Sequence, residues 1–485
     1  MKKIMVLCGL LLLTFLWGML ELKYGNDTNE WKNFTTDSQQ KNMKQREPGI
    51  WKDTEAQTES AGQGETQSAS GRLTIDAGER KIRVLLKSDD YTSEYHTDVC
   101  LTCDKGYMIQ GDSQIRYKAG EEIQITPQSD LFAKGDVLKF FSDDGRFYFP
   151  ELERAEENIG YEGSLEIRKT DQGLLLVNVL SLENYLCGVL PSEMSASFPM
   201  EALKAQAICA RTYALQQQED QRAKEFGADL DDSTSYQVYN NRQHGEKTDQ
   251  AVKETAGLVM MQDGILADAR YYSTSCGLDL HRDLSEESVF AAFLQEDQIP
   301  SVEAEEPFYR WKTSIWLADL QEKTEWETIE KLQVAERNEK GAVTSLEITG
   351  QRQKDELEIK EQEDVNTDQT GTSEEEIQEV KTEEITRKIT GEYQIRQFLA
   401  LADPVITLQD ESTREGWPLL PSAFFYLQPV SEEGLLTGYE ICGGGYGHGE
   451  GMSQNGARHM AEQGEDCETI LKNYYGEIEL IRYSS

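Results

Sequence analysis

Basic residues are in short supply. The 485-residue chain carries 48 Lys and Arg against 89 Asp and Glu, a formal net charge of −41. Nonspecific binding to DNA or RNA needs a net cationic footprint, so nucleic acid is excluded as a partner. Binding to a polyanionic glycan would depend on local cationic patches rather than on the global field. Metal-ligand sets are equally thin. Cys100-Leu-Thr-Cys103 has no second CxxC to complete a four-cysteine zinc site. Cys276 and His281 lie near each other, but two ligands do not make a site, and a lone loop histidine such as His244 is more often solvated than ligating. With Cys8 set aside in the N-terminal apolar run, seven of the eight cysteines remain, an odd number that rules out a complete disulfide framework. No GKS or GKT accompanies the glycine-rich run Gly443–Gly451, which argues against a phosphate-cradling loop.

No small-x-small cleavage signature closes the apolar run Ile4–Leu20, which follows Lys2 and Lys3. At roughly 17 residues it is at the short end of a membrane-spanning helix. Residues 1–25 therefore read as an uncleaved signal anchor, with the rest of the chain outside the cytoplasm; a cleaved signal peptide is the alternative. Residues 26–70, rich in Gln, Thr, Ser, Glu and Asn, cannot bury enough apolar surface to order themselves and read as a flexible tether. From 71 to 160, LTIDA, KIRVLL, YMIQG, IRYKA, EIQITP and RFYFP alternate between Gly, Asp and Pro, predicting a β-rich subdomain with the Cys100–Cys103 pair on a strand. Residues 161–180 predict a hairpin turning near Asp171-Gln-Gly173. Residues 351–388, Glu-rich and without aromatics, read as a solvated insertion in a body spanning 161–485, with strand-and-turn structure resuming near Tyr393.

The chain is organised around Leu180–Leu215. Leu182, Leu186 and Val189 recur at helical spacing, Pro191 interrupts, and the turn Pro191-Ser192-Glu193-Met194 presents Glu193 between two apolar elements. Pro199 suits the first turn of a second helix, and Glu201 suits its positive end. Leu203, Ala207, Ala210 and Ala214 form a stripe of mostly small residues. Lys204 and Arg211 share a face, with Gln206 near its edge. Glu193 followed by two cations suits an active site or an ordinary helix cap beside a charged surface. Ile265–Tyr272 reads as a strand, and Ser273-Thr274-Ser275 after it suits sugar recognition or a tight turn. Phe308, Tyr309 and Trp311 around Arg310 suit sugar stacking or core packing. Six glycines lie between Gly443 and Gly451, a density that allows positive φ and close backbone approach. His448 reads as a ring exposed at the loop apex, either incidental to a turn or part of a groove wall. Ser453 is placed to cap a helix starting at Gln454, and Asp466 a helix starting at Cys467.

The runs LSLENYLCGVLPSEM, FPMEALKAQAICARTYAL and GYGHGEGMSQNGA, in this order, resemble the stage II sporulation protein D family over roughly Tyr161 to Leu480. The resemblance implies an α+β fold and a peptidoglycan lytic transglycosylase whose acid/base is Glu193, with amidase enhancers as a related branch. It implies substrate contacts from Lys204, Gln206, Arg211, Ser273, Thr274, Ser275, Tyr309, His448, Gly449, Ser453 and Gln454, in a groove with Glu193. Some members hold zinc with Cys and His in the loop corresponding to 227–239. Here that loop offers Asp231, Asp232, Ser233, Ser235 and Tyr236 instead, so no metal or other cofactor is expected. The implied partners are peptidoglycan glycan strands, a wall amidase and membrane proteins of the engulfment machinery. The alternative is a non-catalytic module that activates an amidase or binds glycan.

Overall fold

In a computed structural model, residues 80–88, 91–110, 114–152, 154, 160–219, 222–240, 245–278, 285–294, 301–324, 326–353 and 382–482 are described. The expected signal anchor, tether, LTIDA run, His244, His281 and the middle of the acidic insertion lie outside these residues. The fold is α+β, in two compact units. One comprises the described residues up to Asp268 together with 477–482, and the other is Ala269–Gly476.

The first unit is built on a seven-stranded sheet in the order Leu230–Asp231, Lys81–Leu85, Leu174–Ser181, Ser164–Lys169, Val137–Phe141, Tyr107–Gln110, Gln114–Tyr117. Strands from either side of residue 160 thus share one layer. The predicted hairpin is its centre, with Lys169 opposite Leu174 across the turn. Residues 174–180 are all buried, as expected of a strand covered on both faces. Leu175, Val177 and Val179 pack with Leu85, Ala223 and Ala228. On the opposite face the Asn178 amide donates to the Glu162 and Ser164 carbonyls, while its oxygen accepts the Tyr239 hydroxyl.

This strand runs directly into helix α1 (Leu182–Glu193), whose N-cap Ser181 accepts the Asn184 N–H. Contrary to the sequence reading, Pro191 does not end the helix. Its missing N–H removes the bond to the Cys187 carbonyl, but the helix continues through it for two more residues to Glu193. The Ser192 hydroxyl donates to the Gly188 carbonyl, and the Met194 N–H closes on Leu190. Helix α2 (Met200–Glu219) follows, with Leu203, Ala207, Ala210 and Ala214 fully buried. After helix α3 (Glu246–Glu254), the strand Leu258–Gln262 pairs antiparallel with both Ile265–Leu266 and Glu479–Arg482. The single strand expected over Ile265–Tyr272 is two short ones, because Ile265–Leu266 pairs with Leu258–Gln262 and Tyr271–Tyr272 with Met452–Ser453.

In the second unit a five-stranded sheet runs Thr413–Arg414, Ile406–Leu408, Trp311–Trp316, Leu435–Gly443, Phe425–Glu432. Strict in–out alternation along Trp311–Trp316 turns Trp311 and Ile315 into a core that includes Leu346, Ile395, Phe425 and Ile441. A three-stranded sheet, Trp326–Arg337, Val343–Gln353 and Thr382–Thr390, corrects the acidic insertion. Gln353 pairs with Thr382 and Ser345 with Thr390, so both ends of 351–388 are strand rather than a solvated excursion. Tyr393 lies in the helix Glu392–Ala400 and does not resume strand structure.

Candidate functional site

Glu193 is the last residue of α1, half-buried, and its Oε1 accepts the Val238 N–H at 2.7 Å. Met194 turns the chain into extended geometry, and Met194 and Phe198 are buried beside it in sequence. The donor is delivered by loop 227–240, which its own acids fold. Asp231 Oδ1 accepts the Ser233 N–H at 2.8 Å and its hydroxyl at 2.6 Å. Asp232, fully buried, accepts Arg154 Nε and Nη2 on Oδ2 and the Lys87 N–H on Oδ1. Among the described residues no group of three or more His, Cys, Asp or Glu is arranged to hold a metal ion. Gln237 spans inward: its amide donates to the Ala210 carbonyl at 3.1 Å, and its oxygen accepts the Tyr185 hydroxyl. Burial holds the Tyr185 phenol well above its usual range, and the charges of Glu193 and Asp231 add to the effect. Tyr185, Tyr213, Gln237 and Val238 were not singled out from the sequence. The signal for Tyr213 was its position seven residues after Gln206, on the same helix face.

The two faces of α2 do different work. Lys204 Nζ pairs with Glu201 at 2.9 Å and Glu254 at 2.7 Å. Arg211 is 1% exposed and holds Glu183 with Nε at 2.8 Å and Nη2 at 2.7 Å. Its Nη1 donates to the Leu258 carbonyl. Glu183 in turn accepts the Gly257 N–H. These cations therefore fasten α2 to α1, α3 and the strand beyond. A guanidinium so enclosed is not available to a sugar, which corrects the expected role of Arg211. On roughly the opposite face lie Gln206, Ala210 and Tyr213. Gln206 is fully buried, and among the described residues neither of its amide atoms has a hydrogen-bond partner.

In the second unit the residues read as sugar ligands are engaged with one another. Tyr271–Tyr272 pairs with Met452–Ser453, and Thr274 bridges to Tyr446. The Ser453 hydroxyl accepts the Gly456 N–H as the expected cap and lies 2.6 Å from Glu303 Oε2, to which it donates. The same oxygen accepts the Ser275 N–H. Asn455 donates to the Thr274 hydroxyl, which also meets that of Ser273. Gln454 is buried at the first position of its helix. Glu303, buried at the centre, escaped sequence reading because its acidic run looks like surface. Tyr309 is core: burial pushes its phenol up, and Arg310 lies 4.1 Å over its ring. Its neighbour Phe308 stacks on Tyr446 at 4.5 Å.

His448 is not the exposed apex expected. Its ring is half-buried, 5.8 Å from that of Tyr272. Its Nδ1 accepts the Glu450 N–H, which leaves the proton of the neutral ring on Nε2. Burial lowers its pKa; Glu392 and Glu450 oppose that, while Arg270 and Arg396 reinforce it. Gly449 has φ +75°, and a Cβ there would lie 2.4 Å from the Phe424 ring. At Gly451, φ +77°, a Cβ would overlap the Arg270 carbonyl at 1.8 Å. Both glycines let the loop press against its own unit.

A carboxylate at the end of a helix, fixed by a backbone donor from a loop that its own acids fold, defines an α+β protein organised around Glu193. A family model described as stage II sporulation protein matches residues 170–262, which contain the hairpin strand, α1, α2 and that loop. An uncharacterised protein of Brachyspira hyodysenteriae is 30% identical over 327 residues, 67% of this chain and 73% of its own. Stage II sporulation protein D of Bacillus subtilis is 26% identical over 62% of this chain and 74% of its own. The amidase enhancer of Bacillus subtilis is 27% identical over 61% of this chain, which spans 40% of that longer protein. The chain belongs to the stage II sporulation protein D family.

Proposed function

We propose that the protein is a lytic transglycosylase acting in sporulation wall remodelling, on peptidoglycan strands whose stem peptides an amidase has removed. Family membership supports the cell-wall and sporulation setting. The observation that carries the chemistry is the half-buried Glu193 carboxylate, oriented by the Val238 N–H within the matched segment. Neutral Glu193 donates its proton to the oxygen bridging N-acetylmuramic acid and N-acetylglucosamine as the C1–O bond breaks. The carboxylate then takes the proton of the muramic C6 hydroxyl, whose oxygen bonds to C1 and closes a 1,6-anhydro ring. One carboxyl group suffices because the substrate provides the nucleophile; a hydrolase would need a second at a defined separation. His448 is proposed to contact glycan from its own unit. The sequence 1–25 is proposed to hold the body at the outer face of the cell membrane, near a wall amidase and engulfment proteins. A second reading, a non-catalytic amidase enhancer, is favoured by the name of one relative. Mass spectrometry of amidase-treated peptidoglycan after incubation with the protein separates the two. Anhydro-muramic ends are expected, and their absence from a digest that still shows binding would leave the enhancer reading.

A further inference from the structure

The face of α2 turned away from Lys204 and Arg211 carries a phenol that the acid/base scheme does not use. Ala210 on this face is tied to Gln237, and the next residue, Val238, is tied to Glu193. Two consecutive residues thus connect the middle of α2 to the carboxylate. Tyr213 lies three residues beyond Ala210, one turn along the same face. Most neighbouring side chains there are sealed: Gln206 and Ala210 are fully buried, and Tyr185 is buried with its hydroxyl on Gln237. Tyr213 is only half-buried, and no hydrogen bond to its hydroxyl is found among the described residues. The charges of Arg222, Tyr236, Glu193 and Asp231 act on its phenol; the Arg222 guanidinium lies 5.1 Å over the Tyr236 ring and donates to Gln217.

We infer that Tyr213 is a substrate-contact residue of the Glu193 site, its O–H donating a hydrogen bond to a glycan oxygen beside the carboxylate. The inference rests on the glycan reading above. The role is that of a donor. Burial pushes the phenol up to about 12, with Tyr236, Glu193 and Asp231 adding and Arg222 opposing, so it stays protonated at neutral pH. A phenol brings an amphipathic face and one donor to a sugar, and a donor in the field of carboxylates selects a neutral acceptor oxygen rather than an anion.

The test uses the full chain and peptide-stripped glycan strands as the probe. Binding is measured for Glu193→Gln and for Glu193→Gln with Tyr213→Phe, so that no cleavage intervenes, while cleavage is followed in wild type and in Tyr213→Phe alone. Binding about tenfold weaker is expected on losing this one hydrogen bond, with an unchanged melting temperature. Equal binding with and without the hydroxyl overturns the inference, and so does a marked fall in melting temperature, which would mean the hydroxyl holds the fold. If wild type makes no anhydro ends but binding still weakens in the Phe variant, the contact stands and the transglycosylase reading falls. If wild type cleaves and Tyr213→Phe binds and cleaves equally well, only the contact falls. If wild type neither binds nor cleaves, both fall.

Discussion

Glu193 and Glu303 are both carboxylates met by a backbone N–H, yet their settings differ. Glu193 ends a helix half-buried, with Val238 donating to it and a half-buried phenol in its field. Glu303 is buried, and its Oε2 gathers the Ser275 N–H and the Ser453 hydroxyl at the start of a helix. The first setting leaves a carboxylate partly open to solvent. The second is a clamp, since a buried acceptor whose donors were removed would be left at a cost of about 1–3 kcal/mol. Polar residue type alone does not separate these two settings; enclosure does.

The sharpest way to break this contrast is Glu193→Gln. The amide keeps the shape but neither gives nor takes the proton, so cleavage is expected to fall by ~10²–10⁴-fold or more with glycan binding within a few-fold. Retention of more than about a tenth of the rate would remove Glu193 from the chemistry. Arg211→Ala comes next and should act on stability. It leaves Glu183 unpaired and the facing carbonyls without their donor, but Glu183 is one-third exposed. The expected loss is therefore below the ~3–5 kcal/mol of a wholly buried pair, read from denaturant midpoints. Lost cleavage with unchanged stability would return Arg211 to a ligand role. Gly449→Val should cost about 1–3 kcal/mol through positive φ and collision with Phe424. Wild-type stability in that variant would show that the loop has room to give.

The smallest effect is a pH slope. His448 titrates below its ordinary value of about 6.5 in the native state because burial disfavours the cation. The unfolded chain therefore takes up a proton first as pH falls, and the native state loses stability from about pH 6.5 downward. Melting curves between pH 7.5 and pH 5 should show a shallower decline in His448→Gln than in wild type. Parallel curves would mean that the ring is not held neutral.

Much of the fold was legible because it depended on local rules. The hairpin turn at Asp171-Gln-Gly173, the Ser453 and Asp466 caps and the small-residue stripe of α2 follow from turn chemistry, capping and periodicity. What failed was partnership across sequence. Lys204 and Arg211 do share a face, but nothing local says that the face meets Glu183 and Glu254. Ser275 and Ser453 read as sugar ligands by residue type, but Glu303, which accepts the N–H of one and the hydroxyl of the other, lies in an acidic run 28 and 150 residues away from them. The edges of the Glu-rich stretch read as solvated because charged residues dominate them, whereas strand pairing with Val343–Gln353 overrides composition there.

The pairing of Glu479–Arg482 with Leu258–Gln262 has a consequence for how the chain is made. The second unit is an insertion between two strands that must meet, so the edge at 258–262 stays open while more than 200 further residues emerge. Residues up to Gln262 include α1, α2 and the loop that donates to Glu193. They complete their sheet only when the last strand arrives, a contact of high sequence separation that is intrinsically slow to form. Any truncation before residue 479 would leave an exposed strand edge beside α2, to which Arg211 is bonded through the Leu258 carbonyl. A nascent or clipped chain is thereby left unfinished at the strand that Arg211 ties to α2.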